Sequence, residues 1–275
     1  MITYTLLAIA LVLFTVTVLG RVRLHDWWVR ACEFPRVQIA TLVAVTAVAA
    51  LVFGDGELRL WVIALCGLVL VLQLYRILPW TRFWPLQVQV AEPGNADRCV
   101  TLMVANVLTP NRNSEGLLQQ VRDWQPDMLL TLESDQWWGE QLDAELGDRH
   151  TVIRIPQDNL YGMHLYSRLP LEEAEVKYLI QDDIPSIHGW LKLPSGDRVR
   201  FHALHPRPPA PSESEESIWR DAELLLVGRE VDKDGYPAIV AGDLNDVAWS
   251  RTTRLFCRIS GMLDPRRGRG TFNTF

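Results

Sequence analysis

The chain has 275 residues, 48% of them hydrophobic, and a formal net charge of −6 at pH 7. Residues 88–275 carry 20 Lys and Arg against 29 Asp and Glu, so this part is acidic. Proteins that grip long stretches of nucleic acid present a basic surface, and this charge balance argues against that class. The four cysteines form no Cys-x-x-Cys pair, so the sequence predicts neither a zinc site nor a disulfide framework.

Three stretches near the N-terminus carry no charge: residues 1–20, 37–54 and 60–75. A helix that crosses a bilayer needs about 20 mostly apolar residues, and we expect transmembrane helices at about 2–20, 37–54 and 60–78. Tryptophans flank these stretches where interfacial aromatic residues belong, namely Trp27, Trp28, Trp80 and Trp84. Three buried core helices are the alternative interpretation, and the lack of polar faces argues against it. A signal peptide is not favoured, because the N-terminus has no basic residue.

The arginines predict the orientation. Those of the first loop are Arg21, Arg23, Arg30 and Arg36. Cytoplasmic loops are enriched in Lys and Arg, and three spans put this loop and the C-terminal region on the same side. We therefore expect a multi-pass protein of the inner (cytoplasmic) membrane with its C-terminal region in the cytoplasm.

The pattern after the membrane region changes from apolar runs to alternating strands and helices. We expect a membrane region over 1–80, a linker with Pro and Gly over 81–98, and one α/β (α+β) domain over 99–275. Apolar runs and alternation predict strands at 99–106, 128–132, 151–155, 162–167, 173–179, 187–193, 198–204 and 237–241. Helical periodicity predicts helices at 115–125, 135–146, 216–231 and 251–260.

Several of these strands end in a polar residue whose side chain could bind a metal ion or take part in catalysis. The five are Asn106, Glu133, His205, Asp243 and Asn245. Each has a structural alternative, since Asn and Asp favour turns, Glu133 could begin a helix and a lone His is more often structural. Turns alone do not require all five of these residues together. If the strands lie side by side, their ends would bring the residues into one cleft.

Phosphate ester hydrolysis is the chemistry that such a set suits. Mg²⁺ prefers oxygen ligands and keeps several waters, so Glu133 is a natural ligand and an Asn amide can hold a metal-bound water or a phosphate oxygen. Asp243 can orient or deprotonate the attacking water. His205 can donate to phosphoryl oxygens as negative charge builds there.

Five motifs resemble, in order, those of the endonuclease/exonuclease/phosphatase superfamily. They are "VANVLTPN" (104–111), "LTLESD" (130–135), "GMHLYSRLPL" (162–171), "ALHPRPP" (203–209) and "AGDLNDVAWS" (241–250). The closer likeness is to membrane-anchored bacterial members, which place a few spans ahead of the hydrolase domain. The resemblance implies a two-layered sandwich preceded by three transmembrane helices, and Mg²⁺- or Mn²⁺-dependent phosphoester hydrolysis.

The resemblance also implies roles for individual residues. Asn106 and Glu133 match the metal-site positions, and His205 matches the phosphate-contacting His. Asp243 and Asn245 match the Asp-x-Asn pair that positions nucleophile and phosphate. "GTFNTF" (270–275) matches a late segment of the family, which makes Asn273 a candidate contact with the phosphate or substrate.

One departure from the family pattern leaves two hypotheses open. The family ends in an Asp-His pair, whereas this chain stops at Phe275 and contains no Asp-His dipeptide, so we expect a truncated sequence or a degenerate member. The first hypothesis is a membrane-anchored phosphoesterase acting on a small or lipid-borne phosphoester, with nucleic acid as a less favoured substrate. The second is a non-catalytic membrane protein whose hydrolase-like domain binds a ligand or partner.

Overall fold

The computed structural model describes residues 1–91, 94–210 and 217–270. Its N-terminal region contains the helices α1 (Ile2–Leu19), α2 (Trp27–Ala31), α3 (Arg36–Phe53) and α4 (Leu58–Ile77). Three helices, α1, α3 and α4 with the turn that follows it, are long and apolar enough to cross a membrane. Small side chains such as Ala10 and Val43 are buried between them, while Leu11 and Val45 are exposed on the outer surface.

The remaining described residues form an α/β fold. Its strands are β1 (Leu102–Asn106), β2 (Met128–Leu132), β3 (Thr151–Ile155), β4 (Met163–Ser167), β5 (Leu171–Lys177), β6 (Ser186–Lys192), β7 (Arg198–Leu204) and β8 (Ala238–Gly242). Its helices are α5 (Ser114–Trp124), α6 (Gln136–Leu146), α7 (Ile218–Asp234) and α8 (Arg251–Ser260). Element types agree with the sequence prediction, and most bounds agree within two residues.

Two mixed four-stranded sheets pack face to face, in the orders β1-β2-β4-β3 and β5-β6-β7-β8. Within them β1 pairs with β2 and β7 with β8 in parallel, and the other neighbours are antiparallel. Leu130, Leu165, Ile187 and Phe201 fill the core between the sheets and are fully buried. Helices α5 and α6 cover the outer face of the first sheet, and α7 and α8 cover the second. The predicted two-layered α/β sandwich is confirmed.

Two predicted strands begin two or three residues away from the expected position. The first begins at Leu102 instead of Cys99, because the Thr101 N–H donates to the Asp127 carboxylate (2.7 Å) and not to a neighbouring strand. The fifth begins at Leu171, two residues early, because the Leu171 side chain belongs to the core; its register then shifts between Glu172 and Glu175. The five-residue helix α2 was not predicted, since it is too short to show a helical period.

The segment that follows α8 lies against the linker. The Gly268 N–H donates to the carbonyl of Pro79, at the end of the third long helix (3.1 Å). Further along, the Asp264 N–H donates to Gln87 Oε1 (3.2 Å), and Arg269 donates to the carbonyl of Val88 (2.9 Å). The linker and the end of the helix before it are therefore both hydrogen-bonded to residues 264–269.

Candidate functional site

Four of the polar residues at strand ends meet at one edge of the sandwich. Asn106 ends β1 and Glu133 follows β2, while in the other sheet His205 follows β7 and Asp243 follows β8. The two strands of each parallel pair end at the same edge of their sheet, so both residues of a pair lie together. The residues therefore come from two facing sheets, and not from strands side by side in a single sheet.

The Asn106 amide joins two carboxylates at this edge. Its Nδ2 donates to Glu133 Oε1 (2.6 Å) and lies 3.3 Å from Asp243 Oδ2, while its Oδ1 accepts from the Leu108 N–H (3.2 Å). His205 is buried, and its Nε2 lies 4.0 Å from Glu133 Oε1. Two carboxylates that share one neutral amide repel each other, and a nearby cation lowers that repulsion.

The backbone around this group adopts conformations that are uncommon for ordinary residues. Glu133 has φ 55° and Asn245 has φ 50°, both in the left-handed region. The Thr109 hydroxyl donates to the Glu133 carbonyl (2.8 Å) and helps to hold that turn. Gly242 has φ 133°, and a Cβ there would lie 1.9 Å from the Leu204 carbonyl oxygen. Strained backbone of this kind persists where surrounding contacts determine it, as they do at many functional sites.

Asn245 holds two loops together. Its N–H donates to Asp243 Oδ1 (3.0 Å), and its side-chain Nδ2 donates to the Pro206 carbonyl (2.9 Å), next to His205. The loop after β8 is thereby fixed against the loop after β7. Asn273, the remaining predicted site residue, lies outside the described residues.

Sequence reasoning missed Arg220, which supports the same loop from α7. This arginine is buried, donates to the Asn245 carbonyl (2.9 Å) and to Asp221 Oδ1 (2.9 Å), and lies 3.6 Å from Asp246 Oδ2. A signal was present in the sequence: Arg220 lies four residues before the buried Leu224, so it is a charge on the apolar face of the helix.

This buried polar network reaches the N-terminal helical region. Asp221 accepts from Arg30 of α2 (2.8 Å) and from the Thr252 hydroxyl of α8 (2.9 Å). Burial raises the pKa of Asp246 to about 6, and the Ser250 hydroxyl donates to its carboxylate (2.5 Å). The loop that carries Asp243 and Asn245 is thus linked, through side chains, to the hairpin between α1 and α3.

A second cluster of ligand-type side chains lies between the second sheet and α7. His188 and His202 face each other with their Nδ1 atoms 2.7 Å apart, and Glu230 completes a group whose ligand atoms lie within 4.8 Å of one another. Burial lowers the pKa of His188 to about 3 and that of His202 to about 4, so both rings are neutral at physiological pH. Glu230 accepts from Arg200 (2.7 Å), which gives its charge a partner.

Comparison with known proteins identifies a family for this sequence. The model of the Endonuclease/Exonuclease/phosphatase family matches residues 103–275, which include Asn106, Glu133, His205, Asp243 and Asn245. No curated protein matches the chain.

Solved structures show a distant likeness. A Danio rerio TDP2 complexed with single strand DNA product is 16% identical with a TM-score of 0.46, over 55% of this chain and 62% of that one. The human Nocturnin catalytic domain is 19% identical with a TM-score of 0.47, over 58% and 70%. A beta hairpin deletion mutant of beta toxin from Staphylococcus aureus is 14% identical with a TM-score of 0.46, over 60% and 74%. The chain covers less than two thirds of the length of this TDP2.

Proposed function

The chain belongs to the endonuclease/exonuclease/phosphatase family, and we propose that it is a membrane-anchored phosphoesterase that depends on a divalent metal ion. The observation that carries the proposal is the meeting of the Glu133 and Asp243 carboxylates around the Asn106 amide, with His205 alongside. Residues 99–275 would form the hydrolase domain, after a linker over 81–98 and a membrane region over 1–80.

The donor set fits a hard cation such as Mg²⁺ or Mn²⁺. Glu133 offers carboxylate oxygens, a ligand type that Mg²⁺ takes, and Mg²⁺ needs only one or two carboxylates from a protein. Asn106 would offer its amide oxygen after its amide turns over, since its Nδ2 faces the two carboxylates in this structure. We propose that these two residues hold the ion. When bound, it would neutralise charge on the phosphate and polarise its P–O bonds.

The remaining residues would act on the phosphoester and on water. Asp243 is placed to orient the attacking water or to accept its proton. His205 is buried and can donate a hydrogen bond to phosphate oxygens as their charge increases. Asn245 would position Asp243 and the phosphate, since its N–H already holds the Asp243 carboxylate.

We propose a small or lipid-borne phosphoester as the substrate. The acidic charge of residues 88–275 disfavours long nucleic acid, and attachment to the bilayer would bring phosphoesters of lipids close. The arginines of the first loop favour the cytoplasmic face of the inner membrane for the domain.

A hydrolysis assay on the purified protein tests this proposal. With Mg²⁺ or Mn²⁺, the protein should hydrolyse a chromogenic phosphodiester, and EDTA should abolish the activity. Glu133→Gln and Asp243→Asn should each reduce kcat at least about 100-fold, because one loses a metal ligand and the other a proton acceptor. Glu140→Gln, an exposed residue of α6, is the matched control and should leave the rate unchanged.

A metal-binding measurement separates catalysis from ligand binding. Titration with Mn²⁺, followed by electron paramagnetic resonance, should show a site that Glu133→Gln weakens and Asp243→Asn retains. Mn²⁺ binding without hydrolysis of any phosphoester tested would favour the non-catalytic hypothesis. Undiminished hydrolysis in both variants would contradict the assigned roles.

A further inference from the structure

A cavity of about 490 Å³ lies where the membrane helices meet α8, and arginine dominates its wall. The membrane region contributes Gly20 after α1, Arg36 at the start of α3 and Arg76 in the last turn of α4. These three helix ends lie on the same side of the helix bundle, since α1 and α4 run toward that side and α3 runs away from it. The cavity therefore lies at the level where the headgroups of one leaflet would be.

Seven arginines and one carboxylate line this cavity in the described part of the chain. Four belong to the membrane region, namely Arg21, Arg23, Arg36 and Arg76. The other three belong to α8, namely Arg251, Arg254 and Arg258. The α8 arginines are spaced i, i+3 and i+7, so they share one face of the helix. Guanidinium groups match phosphate geometry and carry a permanent charge, which makes such a wall a binding surface for phosphate.

Glu33, the carboxylate in the wall, cannot neutralise the seven arginines. Glu33 lies 3.5 Å from an Arg36 nitrogen and 3.4 Å from an Arg30 nitrogen, so two arginines share it. Arg36 is only 2% exposed, and its Nε has no hydrogen-bond partner among residues 1–91, 94–210 and 217–270. Arg251 and Arg258 form no ion pair within those same ranges. Like charges held together in this way repel each other, and a bound anion lowers that repulsion.

A second cavity of about 460 Å³ lies next to the first and has a more apolar wall. It shares Arg76, Arg254 and Arg258 with the first cavity, and its wall carries the aromatic side chains of Tyr75, Trp80, Trp84 and Trp249. Tryptophan and tyrosine favour the interface between headgroups and acyl chains. A cationic cavity that shares three wall residues with an aromatic one matches a molecule that carries both a phosphate and a less polar part, whereas a free phosphate would use only the first.

We infer that these two cavities form a binding site for one anionic phospholipid, with its phosphate headgroup among the arginines and its glycerol backbone and ester groups against the tryptophans. Basic pockets at the ends of transmembrane helices are known to accept such headgroups. Asn106, Glu133, His205, Asp243 and Asn245 line neither cavity, so the site is separate from the proposed active site. The inference rests on the membrane-spanning part of the proposed function and is independent of hydrolysis.

Native mass spectrometry of the full chain in detergent tests the inference. With equimolar phosphatidylglycerol and phosphatidylcholine, the protein should retain phosphatidylglycerol preferentially. Arg251→Gln with Arg258→Gln should weaken that retention about 30-fold, at about 1 kcal/mol for each charge near the lipid surface. The Arg251 and Arg258 side chains form no hydrogen bond or ion pair within the described ranges, so folding should persist. A single Arg258→Glu variant gives an independent check.

A matched double variant controls for net charge. Arg229→Gln with Lys233→Gln removes two exposed charges from α7, outside both cavities, and should leave phosphatidylglycerol retention unchanged. Equal retention of the two lipids by the wild type, or full retention by the Arg251 and Arg258 variant, would overturn the inference. Inorganic phosphate should displace the lipid poorly; displacement at matched concentration would mean that the cavity takes a soluble anion instead. Loss of hydrolysis in any of these proteins has no bearing on the result.

Discussion

At the scale of single residues, Gly242 shows how the backbone brings Asp243 into place. Its φ of 133° belongs to a region that side chains rarely adopt, and the space for a Cβ is already taken by the Leu204 carbonyl. Two neighbouring strands can approach this closely only where one of them lacks a side chain. The position of the Asp243 carboxylate therefore depends on the residue before it.

Gly242→Ala should lower the free energy of unfolding by about 3 kcal/mol or more, because alanine is strained at this φ and also collides with backbone. Chemical denaturation of the full chain in detergent measures the change. Gly235→Ala is the matched control: Gly235 also has positive φ, at 66°, but nothing lies within 4 Å of its Cβ position. The free energy of unfolding of that variant should fall by only about 1 kcal/mol. Equal decreases in the two variants would show that the close approach of the Leu204 carbonyl plays no part.

At the scale of elements, the short helix α2 docks on α7 and α8 through a buried ion pair. The Arg30 and Asp221 side chains are 5% and 12% exposed and 2.8 Å apart. The Trp249 indole donates to the Glu33 carbonyl (2.9 Å), which adds a second connection between the hairpin and the loop after β8. Breaking a buried pair leaves an uncompensated charge, so each partner depends on the other.

Arg30→Met and Asp221→Asn should therefore destabilise the protein less in combination than the sum of their separate effects. We expect a coupling of about 1–3 kcal/mol in a double-mutant cycle measured by denaturation. The exposed pair Arg98 and Asp197 is the comparison and should give a coupling below about 1 kcal/mol. Additive losses for Arg30 and Asp221 would mean that the two elements are not coupled by this pair.

Local patterns in the sequence were sufficient for most elements, but the strand-end residues meet across two facing sheets, which no local pattern indicates. Strand β2 and helix α8 have the predicted bounds, because a run of apolar residues or a period of 3.6 identifies them without knowledge of partners. The role of Arg220 and the docking of α2 could not be predicted. Arg30 and Asp221 are 191 positions apart in sequence, and no local pattern reports a contact of that separation.

At the scale of the whole molecule, buried ionisable groups make stability depend on pH. The folded rings of His188 and His202 have pKa values of about 3 and 4, well below the ordinary 6.5, because burial disfavours their charged forms. As the pH falls from 6.5 toward 4, the unfolded chain binds protons that the folded chain does not, so the free energy of unfolding decreases. Glu223 acts in the opposite sense, since burial raises its pKa to about 7 and its contribution decreases as the pH rises from 4.5 to 7.

His202→Asn should therefore reduce the loss of stability between pH 7 and pH 5 by about 2 kcal/mol, the value for one histidine that titrates only when unfolded. Denaturation curves at both pH values for wild type and variant measure it. His150→Asn, at an exposed position, should leave the pH dependence unchanged. An unaltered pH dependence in His202→Asn would show that this ring is not the source.

The contacts between the linker and residues 264–269 determine what the domain can reach. A hydrolase on a loose tether would swing through a hemisphere and sample solutes in every direction. Here Pro79, Gln87 and Val88 are each hydrogen-bonded to the segment after α8, which holds the domain against the end of the third long helix. If the three helices cross a bilayer as proposed, the domain would meet other membrane molecules by diffusion in two dimensions and from one direction.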